Sequence, residues 1–440
     1  MKLFYIIIIF FFLNNCSFDK KSGIWKNESQ NLNKESKLFS EFENISSTKD
    51  EFYKNIELDK NYKFSKNKLI TNTSWKDIYY FEDNNLKNFN YDNQNQLIFK
   101  SKKLTKYKTN NYILYEKDNI ITSDVKGNVI VFSVKENKEI IKFNFYKKRY
   151  KKNTLNLNLA IENSIIYVSD NLGFIYAFDY KNSKLLWAQD YKIPLNSNIK
   201  ITQDKIILAD QNNSILFIDK KNGINLKVLP TEISIIKKNF INNLAVYRNN
   251  VIFLNTYGSL YSFNINLMKI NWFINLNQSL DINPNNLFSS NQVQIVKNKV
   301  YVPTGNNLYV LDLLSGAVVI KKDFSSILRP IVLDNVLYSI DNNFLISMDL
   351  NTEKILYSYD INERISNFLD IDKKKVEFHD LIFMNNQLFI FLKNSYILKF
   401  NVNGDLSEIN KLPAKITSKP IIVNKVLIFL DKKNKVSVVN

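Results

Sequence analysis

The sequence predicts an all-β fold, an eight-bladed β-propeller of four-stranded antiparallel blades, and three observations predict it. From about residue 110 the chain repeats one unit eight times, and fixed positions in the unit keep their chemical character. The third observation is that most units carry Gly or Asn at one hairpin turn. A typical unit, "NNVIFLNTYGSLYSFNINLMKINWFINL" (249–276), holds an apolar strand, a polar turn, an alternating strand ending in Asp or Asn, a second turn and a strand carrying Trp. Such alternation over four to six residues between turn signals reads as a β-meander.

The polar residue closing the alternating strand anchors the register at Ser133, Asp179, Asp219, Asn264, Asp312, Asp349, Asn401 and Asn440. The anchors are 37 to 52 residues apart, about 44 on average, the length of one propeller blade. Thirteen residues before the anchor stand Ile120, Ile166, Ile206, Val251, Val336, Leu388 and Leu427, and only the Asp312 unit slips, to Val300. Eight after it stand Trp187 and Trp272, with Ile141, Ile320, Tyr357 and Ile409 in the corresponding places. The hairpin residues are Gly127, Gly173, Gly258, Asn307, Asn343, Asn394 and Asn434, because a tight turn needs positive φ, which Gly adopts freely and Asn tolerates. Asn in this role lets a turn-rich chain manage with 8 Gly. The last unit ends at its anchor and lacks an outer strand, so a segment ahead of the first unit must cover the bare edge, either Asp77 to Phe81 or Leu97 to Ser101.

The N-terminus, "MKLFYIIIIFFFLNNCS", has Lys2, ten uninterrupted apolar residues from Phe4 to Leu13, and then Cys16. Ten is the length of a signal h-region, whereas a spanning helix needs roughly 18 or more. The single Cys of the chain follows at once and resembles the acceptor of a bacterial lipoprotein signal, although Asn14 and Asn15 replace the small residues usual there. A plain secretory signal with an incidental thiol is the alternative. Residues 1–15 are thus expected as a signal, 16–70 as a lipid-anchored solvated tether with a short helix near Glu51 to Leu58, and 71–440 as the propeller. Two or more acyl chains on Cys16 would anchor the protein firmly in a membrane. Ser17, with no Asp after the Cys, points by analogy to the outer membrane.

Composition narrows the chemistry. One Cys and one His among 440 residues exclude a disulfide framework, a multi-Cys zinc or iron–sulfur site and any site needing two imidazoles. His379 has no Cys, Ser or second His to join it and reads as a strand-end or loop residue. The net charge of +18 comes from Lys spread along the whole length, in step with abundant Asn, Ile, Phe and Tyr, rather than from one basic face.

Three units, "GFIYAFDYKNSKLLWAQD" (173–190), "GSLYSFNINLMKINWFIN" (258–275) and "NNLYVLDLLSGAVVIKKD" (306–323), resemble the quinoprotein-type repeat Gly-x-Leu-Tyr-Ala-Leu-Asp followed by Gly-x-x-x-Trp. With the lipoprotein-like N-terminus and eight units, the chain resembles the BamB family of outer-membrane assembly lipoproteins. That resemblance implies a non-enzymatic scaffold without cofactor, facing the periplasm, that binds the periplasmic domains of BamA and helps deliver unfolded outer-membrane proteins. It places one partner-binding loop at "LPTEISIIKKN" (229–239), with Ile233, Ile235, Ile236 and Lys237 as contacts. The second loop falls at "LFSSNQVQ" (287–294), which lacks the acidic pair usual there. The Ile residues read equally well as a buried outer strand. Two other functions stay open: a periplasmic binder of polysaccharide or of another envelope protein, and a quinoprotein-type dehydrogenase, for which no calcium-binding carboxylate and amide set is recognisable. Nucleic acid is not an expected partner of an exported chain.

Overall fold

The computed structural model describes residues 52–440, except 147–149, 151, 234–242, 278–287 and 289, together with the backbone of Cys16–Phe18 and Trp25–Asn27. Those two short strands form an antiparallel hairpin in which Cys16 pairs with Asn27. Residues 1–15, expected as a signal, lie outside the described residues.

Eight four-stranded antiparallel sheets follow, as the repeat predicts. Blade one is Leu114–Glu116, Asn119–Ser123, Asn128–Ser133 and Lys138–Asn144, running from the axis outward. Blades two to seven repeat that order, their innermost strands being Leu157–Glu162, Lys200–Ile201, Asn243–Tyr247, Gln294–Val296, Ile331–Leu333 and Phe378–Met384. Blade eight has Ile421–Val423, Val426–Leu430 and Val436–Val439 from the end of the chain, and its outer strand is Leu97–Lys100. Of the two candidate closing segments, the second is therefore correct. Asp77 to Phe81 lies elsewhere, at the axis, for reasons given below.

The second and third strands of each blade are buried on both faces, while outer strands such as Lys138–Asn144 and Lys184–Asp190 alternate toward water at the rim; that of blade six is buried from Tyr357 to Asp360. Apolar side chains between neighbouring blades join into continuous layers, such as Ile206, Leu208 and Leu216 with Ile175 and Tyr167 between blades two and three. Each fully buried Leu or Ile of this kind contributes about 1.5–3 kcal/mol.

The anchors have a local cause. Asp179 Oδ1 accepts from the backbone N–H of Lys181 and Asn182, and Asp219, Asn264, Asp312 and Asp349 repeat the pattern two and three residues on. Each such Asx turn closes the outer hairpin. In blades one to seven the strand pair also carries a β-bulge between the second-last and last residues before the anchor, which adds the same twist to each blade.

At the inner hairpin Gly127, Gly173, Gly258 and Asn434 have positive φ, as read from the sequence. In blades six and seven the positive φ falls one residue away, at Asn342 and Ser395, and blade three supplies Asn213. Asn307 instead closes its turn through Thr304, whose Oγ1 accepts from the Asn307 N–H at 3.0 Å. A second device went unread in the sequence: Asp124, Asp170, Asp210, Asn255 and Asp431 each accept from N–H groups two and four residues ahead.

The two repeat tryptophans lock one blade to the next. Trp187 Nε1 donates to the Lys220 carbonyl at 3.2 Å, and Trp272 Nε1 to that of Leu313 at 3.0 Å. Each indole also covers a glycine of the following blade, Gly223 or Gly316, both at positive φ. A Cβ on Gly223 would lie 2.5 Å from Trp187 Cε3. Gly223→Ala therefore combines overpacking with a disfavoured φ, and urea unfolding should show a loss of about 1–3 kcal/mol.

Residues 52–65, read as part of the solvated tether, lie along blade six instead. Ile56 exchanges both backbone hydrogen bonds with Ser358 at 3.0 Å, Tyr53 Oη donates to Asp341 and Tyr62 Oη to Asp349, each at 2.9 Å. Phe52 packs edge-on against Phe324 at 5.4 Å. Irregularly spaced aromatics hold this segment, so it shows no apolar period, and Phe52 to Leu58 is not helical. A nine-residue helix, Ile361–Leu369, stands instead between blades six and seven, N-capped by the Asp360 side chain. It accounts for the widest anchor spacing, from Asp349 to Asn401.

Candidate partner-binding face and axial cleft

The axis of the ring is occupied by the protein's own chain. Residues 72–92 pass once around the lumen and bond to every blade in turn. Asn72 pairs with Ile422 and Asn424 of blade eight, Trp75 exchanges backbone hydrogen bonds with Tyr115 of blade one, and the Lys76 carbonyl accepts from Ile161 of blade two. Further on, the Phe81 carbonyl accepts from Lys200 of blade three, that of Glu82 from Val246 of blade four, and that of Asp83 from Ile295 of blade five. Arg329, just ahead of the inner strand of blade six, donates to the Tyr79 carbonyl at 2.7 Å. Phe89 pairs with Phe383 and Asn385 of blade seven, and Asp92 returns to blade eight at Lys425.

Two cations are buried against this segment. Lys200 is wholly buried, and its ammonium reaches Asp77 Oδ2 at 2.6 Å and the Phe81 carbonyl at 2.8 Å, with Asn84 Oδ1 as a third acceptor. Arg329 is 8% exposed, its Nε has no hydrogen-bond partner, and burial holds its guanidinium below the ordinary value. Beside it opens a cleft lined by Trp75, Tyr112, Gln292, Asp380 and Lys419. His379 begins the inner strand of blade seven, and its Nε2 lies 3.0 Å from the Ser418 carbonyl. Burial lowers its pKa, so it serves as a neutral link between blades seven and eight, in keeping with its reading as a strand-end residue.

All inner strands run in one direction, so the connections leading into them lie on one face of the ring, and both the cleft and the candidate loops share that face. Ile233 is described and is 69% exposed, which overturns the buried-strand alternative at this position. Ile235, Ile236 and Lys237 lie outside the described residues. Glu232, missed in the sequence, fixes the base of the loop: its carboxylate accepts from Asn255 Nδ2 at 2.8 Å and Ser259 Oγ at 2.9 Å, and its carbonyl from Asn213 Nδ2. Tyr257 Oη donates to the Ile233 carbonyl at 3.4 Å. On the other side of the same turn, Phe288 of the second loop packs over Gly258 and its N–H donates to the Thr256 carbonyl. The inner hairpin of blade four, Asn255 to Gly258, thus carries both loops.

Residues 125–359, more than half of the chain, match the family model described as outer membrane protein assembly factor BamB. The chain belongs to the BamB family. Among curated proteins, this BamB-family chain is 24% identical over 303 residues to an uncharacterized protein of Rickettsia prowazekii (strain Madrid E), covering 64% of this chain and 72% of that one. Its structure is similar to that of BamB from Moraxella catarrhalis, with a TM-score of 0.61, 13% identity, and 78% and 99% of the two chains covered. The same fold appears in a europium-containing methanol dehydrogenase, with a TM-score of 0.59, 11% identity, and 83% and 89% covered. At these identities the structural likeness describes the fold, which scaffolds and enzymes of the BamB-like type of repeat share.

Proposed function

We propose that this BamB-family chain is a non-enzymatic scaffold lipoprotein of the outer-membrane β-barrel assembly machinery. Anchored through Cys16 and facing the periplasm, it binds the periplasmic domains of BamA and assists delivery of unfolded outer-membrane proteins. The observation that carries the reading is the filled axis. Residues 72–92 occupy the lumen with hydrogen bonds to all eight blades, leaving the ring a rigid platform for its loops. Family membership supports the assembly role, and the loop base fixed by Glu232 leaves Ile233 exposed for a partner.

Affinity isolation of the intact lipoprotein from native envelopes should recover barrel-assembly subunits. Ile233→Asp should reduce that capture about tenfold or more, as expected for a central apolar contact, with an unchanged unfolding midpoint because the side chain is exposed. Recovery of no assembly subunit, or a stoichiometric quinone in the purified protein, would overturn the proposal.

A further inference from the structure

The axial cleft does not end at Arg329. A second groove adjoins it, sharing Ile78 and Tyr112, and runs over blades one and two between Asn110, Asn111, Asn156 and Asn158. The two differ in chemistry. The cleft holds Arg329 and Lys419 against one acid, Asp380, which already accepts from Lys419 at 3.3 Å. The groove has no charged lining residue and offers side-chain amides above the apolar floor of Leu157 and Leu159. A buried guanidinium lining the cleft and side-chain amides lining the groove define what fits. A carboxylate suits the guanidinium as a planar, charge-assisted acceptor. Asn side chains can both donate to and accept from a peptide backbone that leads away from it.

We propose that this face receives the C-terminal end of an extended peptide, its terminal carboxylate at Arg329 and Lys419 and its backbone along the asparagine groove. The inference rests on the client-binding part of the proposed function and deepens it by naming the feature recognised. Buried Arg329 already donates from Nη1 to the Tyr79 carbonyl at 2.7 Å and the Asn84 carbonyl at 3.5 Å, and the ligand meets the guanidinium where it lines the cleft. Asp380 stays neutralised by Lys419 and does not repel the incoming anion.

The test is fluorescence polarisation with the full chain and an eight-residue peptide of alternating apolar and polar residues, labelled at its N-terminus. One form ends in a free carboxylate, the other in an amide. The acid should bind at least tenfold more tightly than the amide. Lys419→Met should shrink that preference, Arg329→Gln should abolish it, and Arg329→Lys should restore part of it. Asn158→Leu should weaken both peptides alike. Should Arg329→Gln not fold, Lys419→Met, at a partly exposed side chain, carries the test alone. Equal binding of acid and amide overturns the proposal, and so does succinate binding as tightly as the peptide, which would make the site a small-anion pocket. Equal binding with assembly subunits still captured sinks this inference and leaves the scaffold function standing. Acid-selective binding without assembly subunits does the reverse.

Discussion

Replacing Asp77 with Ala is expected to cost about 3–5 kcal/mol of stability, because it strands a wholly buried ammonium with its counter-charge removed. Lys200 keeps neutral acceptors at Phe81 and Asn84, which soften the loss but cannot offset a full charge away from water. Urea unfolding measures the change directly. Removing both charges, as Asp77→Leu with Lys200→Met, should cost less than the single change, since no bare ion remains. A double variant as unstable as the single one would mean that geometry, not charge, ties the axial segment to blade three.

A chain beginning at Lys102 should fail to fold cooperatively. It loses three things at once: the outer strand Leu97–Lys100, the lumen segment, and the aromatics on blade six. The edge of Val436–Val439 would then stand bare, and buried cations of blades three and six would face an empty lumen. Size-exclusion chromatography should give aggregate rather than monomer, and a broad urea transition should replace a sharp one. Adding residues 52–101 as a separate peptide should restore part of the sharp transition. A monomeric, cooperative 102–440 fragment would show instead that seven complete blades and a truncated eighth hold without the axis.

The ring itself was legible because its signals are local and repeated. Anchors such as Asp179 close their own turn, Trp187 packs on the next unit at a fixed distance along the chain, and the alternation within each strand reports burial directly. The axial segment was illegible for the opposite reason. "DIYYF" reads like an edge strand, yet at the axis its partners come from blades two, three and six, so its residues answer to no single sheet face. Within that segment Asn84 is fully buried and donates to the Leu244 and Val293 carbonyls, a pairing no local pattern announces. Two small signals did point inward: Lys200 interrupts an apolar strand in "SNIKI", and Arg329 stands beside Pro in "LRPIV". At the candidate face, Ile233 was found through family likeness, while Glu232 was passed over because an acid in a polar loop looks ordinary until its partners on blade four are seen.

The way blade eight is completed has a consequence for the time course of folding. Ser101 bonds to Val436 across 335 residues of chain, so the contact that shuts the ring is among the most remote in the molecule. Contacts of such separation form late, because the entropy of closing a long loop must be overcome before they stabilise anything. The lumen segment cannot be threaded into a ring already shut, so blades must gather around it first. A chain built this way remains open, and within reach of chaperones and proteases, until its final strand is in place.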